Sequence, residues 1–342
     1  MLKEIARIMT LRRKFIQQSS LALTALALPF PLIAFTKHNK MTDNKNFDVI
    51  IIGGSYAGLS AGMALGRALR SVLIIDSVKP CNIQTPHSHN FITQDGKTPN
   101  EILNLSKEQV EKYETIKFYN GLATNGIKTE NGFEITTLTK DKFNAKKLIF
   151  ATGVKDTMPN IKGFAECWGI SVIHCPYCHG YEYKNVKTGI LANGDMAFEI
   201  GKLINNWTKD LTIYTNGKSM LTAGQIEKLQ KHNIQIVETE IDHFAHVNGQ
   251  IESVVFKDKT LKNIKALYAR PKFEQHCEIP KQLGCEFTEQ NYLKIDPFQK
   301  TTIHGIFACG DNTSMMRSVS YAVAMGGLAG GMINREIIEE EF

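Results

Sequence analysis

Phe47-Asp48-Val49-Ile50-Ile51-Ile52 is an almost unbroken apolar run, and Gly53-Gly54-Ser55-Tyr56-Ala57-Gly58 follows it without a gap. Such a run suits a strand buried on both faces of a parallel sheet. The glycine turn leads into a helical stretch that the pattern carries to about Arg70. Strand, glycine turn and helix form the opening of a dinucleotide-binding βαβ unit. Gly53 makes the tight turn, Gly54, Ser55 and Ala57 continue it, and Gly58 lets helix and strand approach closely. The helix N-terminus is then a place for a pyrophosphate. Ser55 stands where the fingerprint has its middle glycine. A second strand, Val72-Leu73-Ile74-Ile75, ends on Asp76, at the distance where an acid binds ribose hydroxyls. The competing reading is a glycine loop in an unrelated α/β domain.

The chain has 342 residues, enough for two domains, and 43% hydrophobic against 22% charged residues marks a globular protein. Its net charge of +6 is concentrated in the first forty residues, which leave 33 basic and 33 acidic residues elsewhere. The remainder is neutral and gives no argument for nucleic acid or an anionic membrane surface. Within residues 1–40, Arg12-Arg13 precedes an apolar run from Leu21 to Phe35 that is interrupted by Pro29 and Pro31. A basic segment before an apolar one is an export signal, and the twin arginines make it Tat-like. The protein is then periplasmic or membrane-anchored. A start at Met41 gives instead an ordinary cytoplasmic N-terminus.

The seven cysteines are too few and too scattered for a disulfide framework, but Cys175-Pro176-Tyr177-Cys178 is a close pair. At a helix start this spacing brings two sulfurs within bonding range and favours a thiolate. The residues admit four readings: a redox-active disulfide, an inert one, half of a zinc site, or, with His179, an attachment point for haem. A structural zinc wants four ligands, and no second pair follows. A second, weaker nucleotide turn lies downstream, where the strand Lys187–Leu191 runs into Ala192-Asn193-Gly194-Asp195-Met196-Ala197.

Two further segments repeat one style. Leu148-Ile149-Phe150 ends in Ala151-Thr152-Gly153, and Ile306-Phe307-Ala308-Cys309 ends in Gly310-Asp311, before a helix from Ser320 to Ile333. With these residues in place, the chain resembles the thioredoxin reductase family of flavoproteins from residue 45 to the end. The resemblance implies an α/β fold of two Rossmann-like dinucleotide-binding domains. The second is inserted into the first, and each has a parallel sheet and a small antiparallel meander. The FAD domain is expected over 45–157 and 271–342, and the NAD(P)-binding-like domain carrying the Cys pair over 158–270. The resemblance also implies that Ala151-Thr152-Gly153 and Gly310-Asp311 flank FAD and that Asp311 holds its ribityl chain or phosphate. Cys178 would then face the flavin, Cys175 would exchange with the substrate, and the protein would be a homodimer.

His174-Cys175-Pro176-Tyr177-Cys178-His179-Gly180-Tyr181-Glu182 is similar to the motif of the dithiol oxidase branch, the enzymes that close disulfides in gliotoxin- and holomycin-type metabolites. His174 and His179 are the expected acid–base pair, titrating near neutrality. His87 and His89 read as ordinary surface or hydrogen-bonded histidines. NADPH-using members carry a basic pair after the next strand, where this chain has Thr215-Asn216-Gly217, so NAD(P)H use is left open. The expected activity is oxidation of a small dithiol with oxygen or another acceptor. NAD(P)H-driven reduction of a thioredoxin-like protein and a flavin redox sensor without turnover are the alternatives.

Overall fold

The computed structural model describes residues 45–342. The export signal read over residues 1–40 and the alternative start at Met41 lie outside the described residues. Among the described residues no helix is long and apolar enough to cross a membrane.

The first part of the chain runs β1 (Asn46–Ile52), α1 (Tyr56–Arg67), β2 (Val72–Asp76), α2 (Pro99–Val110), β3 (Ile116–Asn120), β4 (Ala123–Thr129), β5 (Gly132–Thr137) and β6 (Lys142–Phe150). It continues through β7 (Val154–Thr157), α3 (Phe164–Cys167), β8 (Val172–Ile173), α4 (Pro176–His179), β9 (Thr188–Leu191), α5 (Gly194–Ile204), β10 (Leu211–Tyr214), α6 (Ala223–Lys231) and β11 (Gln235–Val237). Then come β12 (Ile241–Val247), β13 (Gln250–Phe256), β14 (Leu261–Asn263), β15 (Ala266–Ala269), β16 (Lys272–Gln275), α7 (Ile279–Gln282), β17 (Ile306–Ala308) and α8 (Val319–Glu341).

A seven-stranded sheet has the order β3-β2-β1-β6-β5-β4, with β17 also on β6. Strand β6 forks. Its first half pairs antiparallel with β5, and its last three residues pair parallel with β17, Leu148 opposite Ile306. Alternation along the strands feeds two cores. Val49, Ile51, Ile74 and Ile149 meet the helices α1, α2 and α8, while Ile50, Leu73, Leu148 and Phe150 meet the β5 side and the segment around Cys277 and Cys285. The second sheet, β11-β10-β9-β15-β8, is wholly parallel. The antiparallel meander β12-β13-β14 forms a further sheet. Strands β7 and β16 pair antiparallel, Asp156 opposite Phe273.

Three local expectations shift by a turn or two. Helix α1 stops at Arg67 rather than near Arg70, because Ala68 caps it and Leu69 takes a left-handed φ of 61°. Helix α5 starts at Gly194, within the Ala192–Ala197 turn itself, so that the turn supplies the first helical residues. Helix α8 continues to Glu341, eight residues past Ile333, where its charged end finds partners: Arg70 and Lys146 both reach Glu341. Asn131-Gly132, a dipeptide suited to a tight hairpin, turns the chain from β4 into β5. Phe164 and Trp168 are buried and stacked, 5.7 Å between centroids, as core residues.

Candidate active site

The turn after β1 is held by its glycines and by Asp76. Gly53 has φ 104°, and a methyl group on it would overlap the Ala151 carbonyl. Asp76 accepts the Gly54 N–H at 3.1 Å and the Val78 N–H at 3.1 Å, so it braces the turn as well as facing the groove. A cleft of about 500 Å³ opens over this turn, a size proper to a ligand site. Its walls include Gly53, Gly54, Ser55, Ala57, Asp76, Ala151, Thr152, Gly153, Gly310 and Asp311. Gly58 stands behind the wall, where its missing side chain lets α1 lie on the Gly53 carbonyl. The donor set fits a dinucleotide: a helix N-terminus for phosphates, an acid at one end for a ribose, and a second acid, Asp311, at the other.

Motif reading missed Lys155, Gln275 and His276, which line the cleft from the β7–β16 pair, and Cys81, which lines it from the loop after β2. These come from segments without a motif. Cys81 is an exposed residue whose sulfur is 4.0 Å from Asp311, and desolvation at the cleft together with that carboxylate pushes its thiol up, which favours the neutral thiol. Asp311 also sits 3.5 Å from Arg317, whose guanidinium makes a bidentate pair with Asp156 at 2.7 and 2.9 Å. Burial pushes the Asp311 carboxyl up, and Arg317 opposes that shift. Beside two acids, a phosphate would be repelled; hydroxyl donors such as a ribityl chain suit Asp311, which narrows the role expected for it.

A smaller cavity of about 110 Å³ adjoins the cleft and shares Tyr56, Cys81, Asp311 and Ala322 with it. Cys178, His174 and His179 form its far wall, and Ser318 and Val319 at the start of α8 its near one. Ser318 caps α8 by accepting the Tyr321 N–H at 3.2 Å, leaving the positive end of a long helix at the junction of the two spaces. Cys175 and Cys178 are joined as a disulfide, with Cα atoms 5.3 Å apart. Cys175 is the cap of α4, and its sulfur accepts the Cys178 N–H at 3.2 Å. That N–H would stabilise a Cys175 thiolate once the disulfide opens.

The two histidines depart from expectation. His174 packs on Trp168, with centroids 5.9 Å apart, and its Nε2 has no hydrogen-bond partner among the described residues. Burial first, then the Arg317 charge, pushes it down to about 4. Burial likewise pushes His179 down to about 4, against the opposing pull of Glu182. Neither ring titrates near neutrality as the sequence reading expects: both are neutral at pH 7, because enclosure penalises the imidazolium. The linkage has a definite sign. Unfolded rings protonate near 6.5 and folded ones near 4, so protons favour the unfolded state as pH falls through that window. The cost is on the order of 2–3 kcal/mol for each ring at most. Thermal melts of the oxidised protein should therefore lose stability between pH 6.5 and 4, and His174→Gln should lose less over the same range. Parallel curves for the two proteins would contradict this.

The turn after β9 is already filled. Asn193 Oδ1 accepts the N–H groups of Gly194 and Met220, both at 2.8 Å, and its Nδ2 donates to the Lys218 carbonyl at 2.9 Å. Asp195 sits in the first turn of α5, held by Gln225 at 2.8 Å. Thr215 donates to the Gly217 carbonyl at 2.6 Å, and Asn216 accepts the Ile241 N–H at 2.7 Å.

The histidines in the loop after β2 part company. His87 bonds the Gly96 carbonyl at 2.9 Å, as an ordinary loop residue does, whereas His89 lines the smaller cavity with Cys178 and His179. Cys167, Cys277, Cys285 and Cys309 are free and buried.

The comparisons with known proteins agree with this geometry. The model of the family described as pyridine nucleotide-disulphide oxidoreductase matches residues 47–326. The thioredoxin reductase tcpT of Claviceps purpurea (strain 20.1) is 31% identical over 313 residues, covering 88% of this chain and 97% of its own. The thioredoxin reductase aclD of Aspergillus oryzae is 32% identical, covering 86% and 98%. Among solved structures, an oxidoreductase from Agrobacterium tumefaciens superposes with a TM-score of 0.81 at 37% identity, covering 86% and 99%. The chain belongs to the pyridine nucleotide-disulphide oxidoreductase family, as a thioredoxin reductase-like enzyme that uses FAD and acts on disulfides.

Proposed function

We propose that this enzyme runs as a dithiol oxidase: a substrate dithiol is closed to a disulfide at Cys175–Cys178, and the electrons leave through FAD to oxygen or another acceptor. One observation carries the choice of direction. The helix turn where a nicotinamide cofactor would bring its phosphates is bridged by Asn193 to Met220 and Lys218, and Asp195 adds a negative charge to it. A pyrophosphate there must displace hydrogen bonds already made and face a carboxylate. The fold is retained as the platform for the Cys pair.

FAD, when bound along Gly53, Asp76, Thr152 and Asp311, supplies the two-electron acceptor that re-forms the disulfide. The thiol chemistry belongs to the chain. A substrate thiol gives its proton to the neutral His179 ring, and its sulfur bonds to Cys175 as the Cys175–Cys178 bond breaks with the electron pair on Cys178. The second substrate sulfur then displaces Cys175 and closes the product disulfide. His174 lines the smaller cavity with Cys178 and helps exclude water from it; its buried Nε2 has no partner among the described residues.

The names of the relatives favour a second reading, in which the partner is a thioredoxin-like protein. Tyr177 and Tyr181, 62% and 69% exposed around the Cys pair, offer such a partner an aromatic rim. Anaerobic mixing separates the readings. Bleaching of the flavin by a small dithiol, with slow or no bleaching by NADPH or NADH and recovery in air, is the expected result. Fast bleaching by either nicotinamide would overturn it and make Thr215-Asn216-Gly217 part of a working cofactor site.

A further inference from the structure

Asn312 directly follows Gly310-Asp311, yet it is fully buried and takes no part in the wall of the larger cleft. Its Nδ2 donates to the Phe150 carbonyl at 2.9 Å and to Thr152 Oγ1 at 3.3 Å. The amide is fixed in this sense, because turning it over would set Oδ1 against the Phe150 carbonyl, acceptor against acceptor. The Phe150 carbonyl also accepts the Cys309 N–H at 3.0 Å. The Asn312 backbone carbonyl in turn accepts the Leu293 N–H at 2.8 Å and a Gln275 Nε2 proton at 3.1 Å. One residue behind the cleft therefore ties together the end of β6, the Ala151-Thr152-Gly153 segment, the Gly310-Asp311 segment and β16.

The consequence falls on Thr152. An amide N–H only donates, so the Thr152 oxygen is the acceptor of that bond and its own proton must turn elsewhere. The Thr152 hydroxyl donates to none of the described residues. Thr152 is half-buried and stands in the cleft wall beside the nucleotide turn, where a methyl group on Gly53 would come within 3.2 Å of its backbone nitrogen. With Asn312 behind the wall, the open direction for the proton is the cleft. We propose that Thr152 is a hydrogen-bond donor to an acceptor atom of the bound flavin dinucleotide, and that Asn312 is the positioning residue that turns its proton that way. The inference rests on FAD use alone and holds for either direction of electron flow. It gives the cleft a neutral donor, opposite in sense to Asp76 and Asp311, which as carboxylates only accept. A dinucleotide brings both kinds of group: sugar and ribityl hydroxyls for the acids, phosphate or ring-carbonyl oxygens for Thr152.

The test is FAD binding by the full chain after its flavin is stripped, followed as quenching of flavin fluorescence, with melts of the stripped proteins as a check on folding. Thr152→Val keeps the shape and removes the hydroxyl. It should weaken FAD about tenfold, while Thr152→Ser should stay within about threefold of wild type. ADP titrated in competition locates the acceptor. A matching loss for ADP places it in the ADP half, and a loss confined to FAD places it in the flavin half; both support the donor. Asn312→Leu removes the bond to Phe150 as well as the one to Thr152, so its effect is read in two backgrounds. It should weaken FAD about threefold more with Thr152 present than in Thr152→Val. The same factor in both backgrounds is what a merely structural Asn312 would give, and it overturns the positioning role. Thr152→Val binding within about twofold of wild type, or Thr152→Ser binding as weakly as Thr152→Val, overturns the donor itself. Should Asn312→Leu not fold, the contrast between Thr152→Val and Thr152→Ser still decides.

Discussion

Cys178→Ser should keep its flavin and lose dithiol-driven bleaching by about three orders of magnitude or more. Flavin retention follows because Cys178 lies in the wall of the smaller cavity and not in the larger cleft built on Gly53, Asp76 and Thr152. The loss follows because a serine oxygen can neither leave with the electron pair nor close a disulfide. What remains is informative. The Cys178 backbone N–H that the Cys175 sulfur accepts at 3.2 Å is kept by serine, so Cys175 remains an activated thiol. Offered an oxidised substrate, Cys178→Ser should accumulate a mixed disulfide visible as a mass increase, whereas Cys175→Ser should form none. Bleaching of Cys178→Ser at the wild-type rate would sink the assignment of electron transfer to this sulfur. Mixed-disulfide formation by Cys175→Ser and not by Cys178→Ser would reverse the two roles.

That result would test a site whose parts were unevenly legible in the sequence. The β1–turn–α1–β2 unit could be read because its signals are local. A buried parallel strand leaves an apolar run, a tight turn needs glycine, and Asp76 follows at a fixed spacing. The Cys pair could be read for the same reason. The rest of the smaller cavity's lining could not. Cys81, His89, Asp156 and Arg317 stand in segments with no periodicity, and they meet only because β7 and the loop before α8 converge. His89 is the clearest case: the sequence places it in a polar loop, and only the fold sets its ring 3.5 Å from Glu182, ninety-three positions along the chain. The second nucleotide turn was half legible. Missing cations after β10 can be read directly, but that Asn193 spends its side chain tying Met220 and Lys218 across the helix start cannot. The titration of His174 and His179 was misjudged for a related reason, since enclosure is a property of the assembled cavity and not of the motif.

Helix α8 shows how far the cofactor site depends on atoms that are missing. A methyl group at Gly58 would overlap the Gly53 carbonyl oxygen, and one at Gly326 would overlap the Ala57 carbonyl oxygen. The obstacles are backbone atoms of the nucleotide turn and of α1, which have no side-chain rotamer to yield. Either Gly58→Ala or Gly326→Ala must therefore push α1, α8 or the turn out of register, at a cost of about 3 kcal/mol or more. The displaced elements carry the phosphate-facing turn and the start of α8 at the junction of the two cavities, so both variants should purify without bound flavin and melt well below wild type. Gly331 is on the same helix, with nothing within 4 Å of a methyl group there. Gly331→Ala should gain about 0.5–1 kcal/mol from helix propensity alone and keep its flavin. Flavin absorbance per protein and thermal melts of the three variants measure the contrast. Full flavin content in Gly58→Ala and Gly326→Ala would show that the turn tolerates displacement, and that close approach of α1, β1 and α8 is not what forms the site.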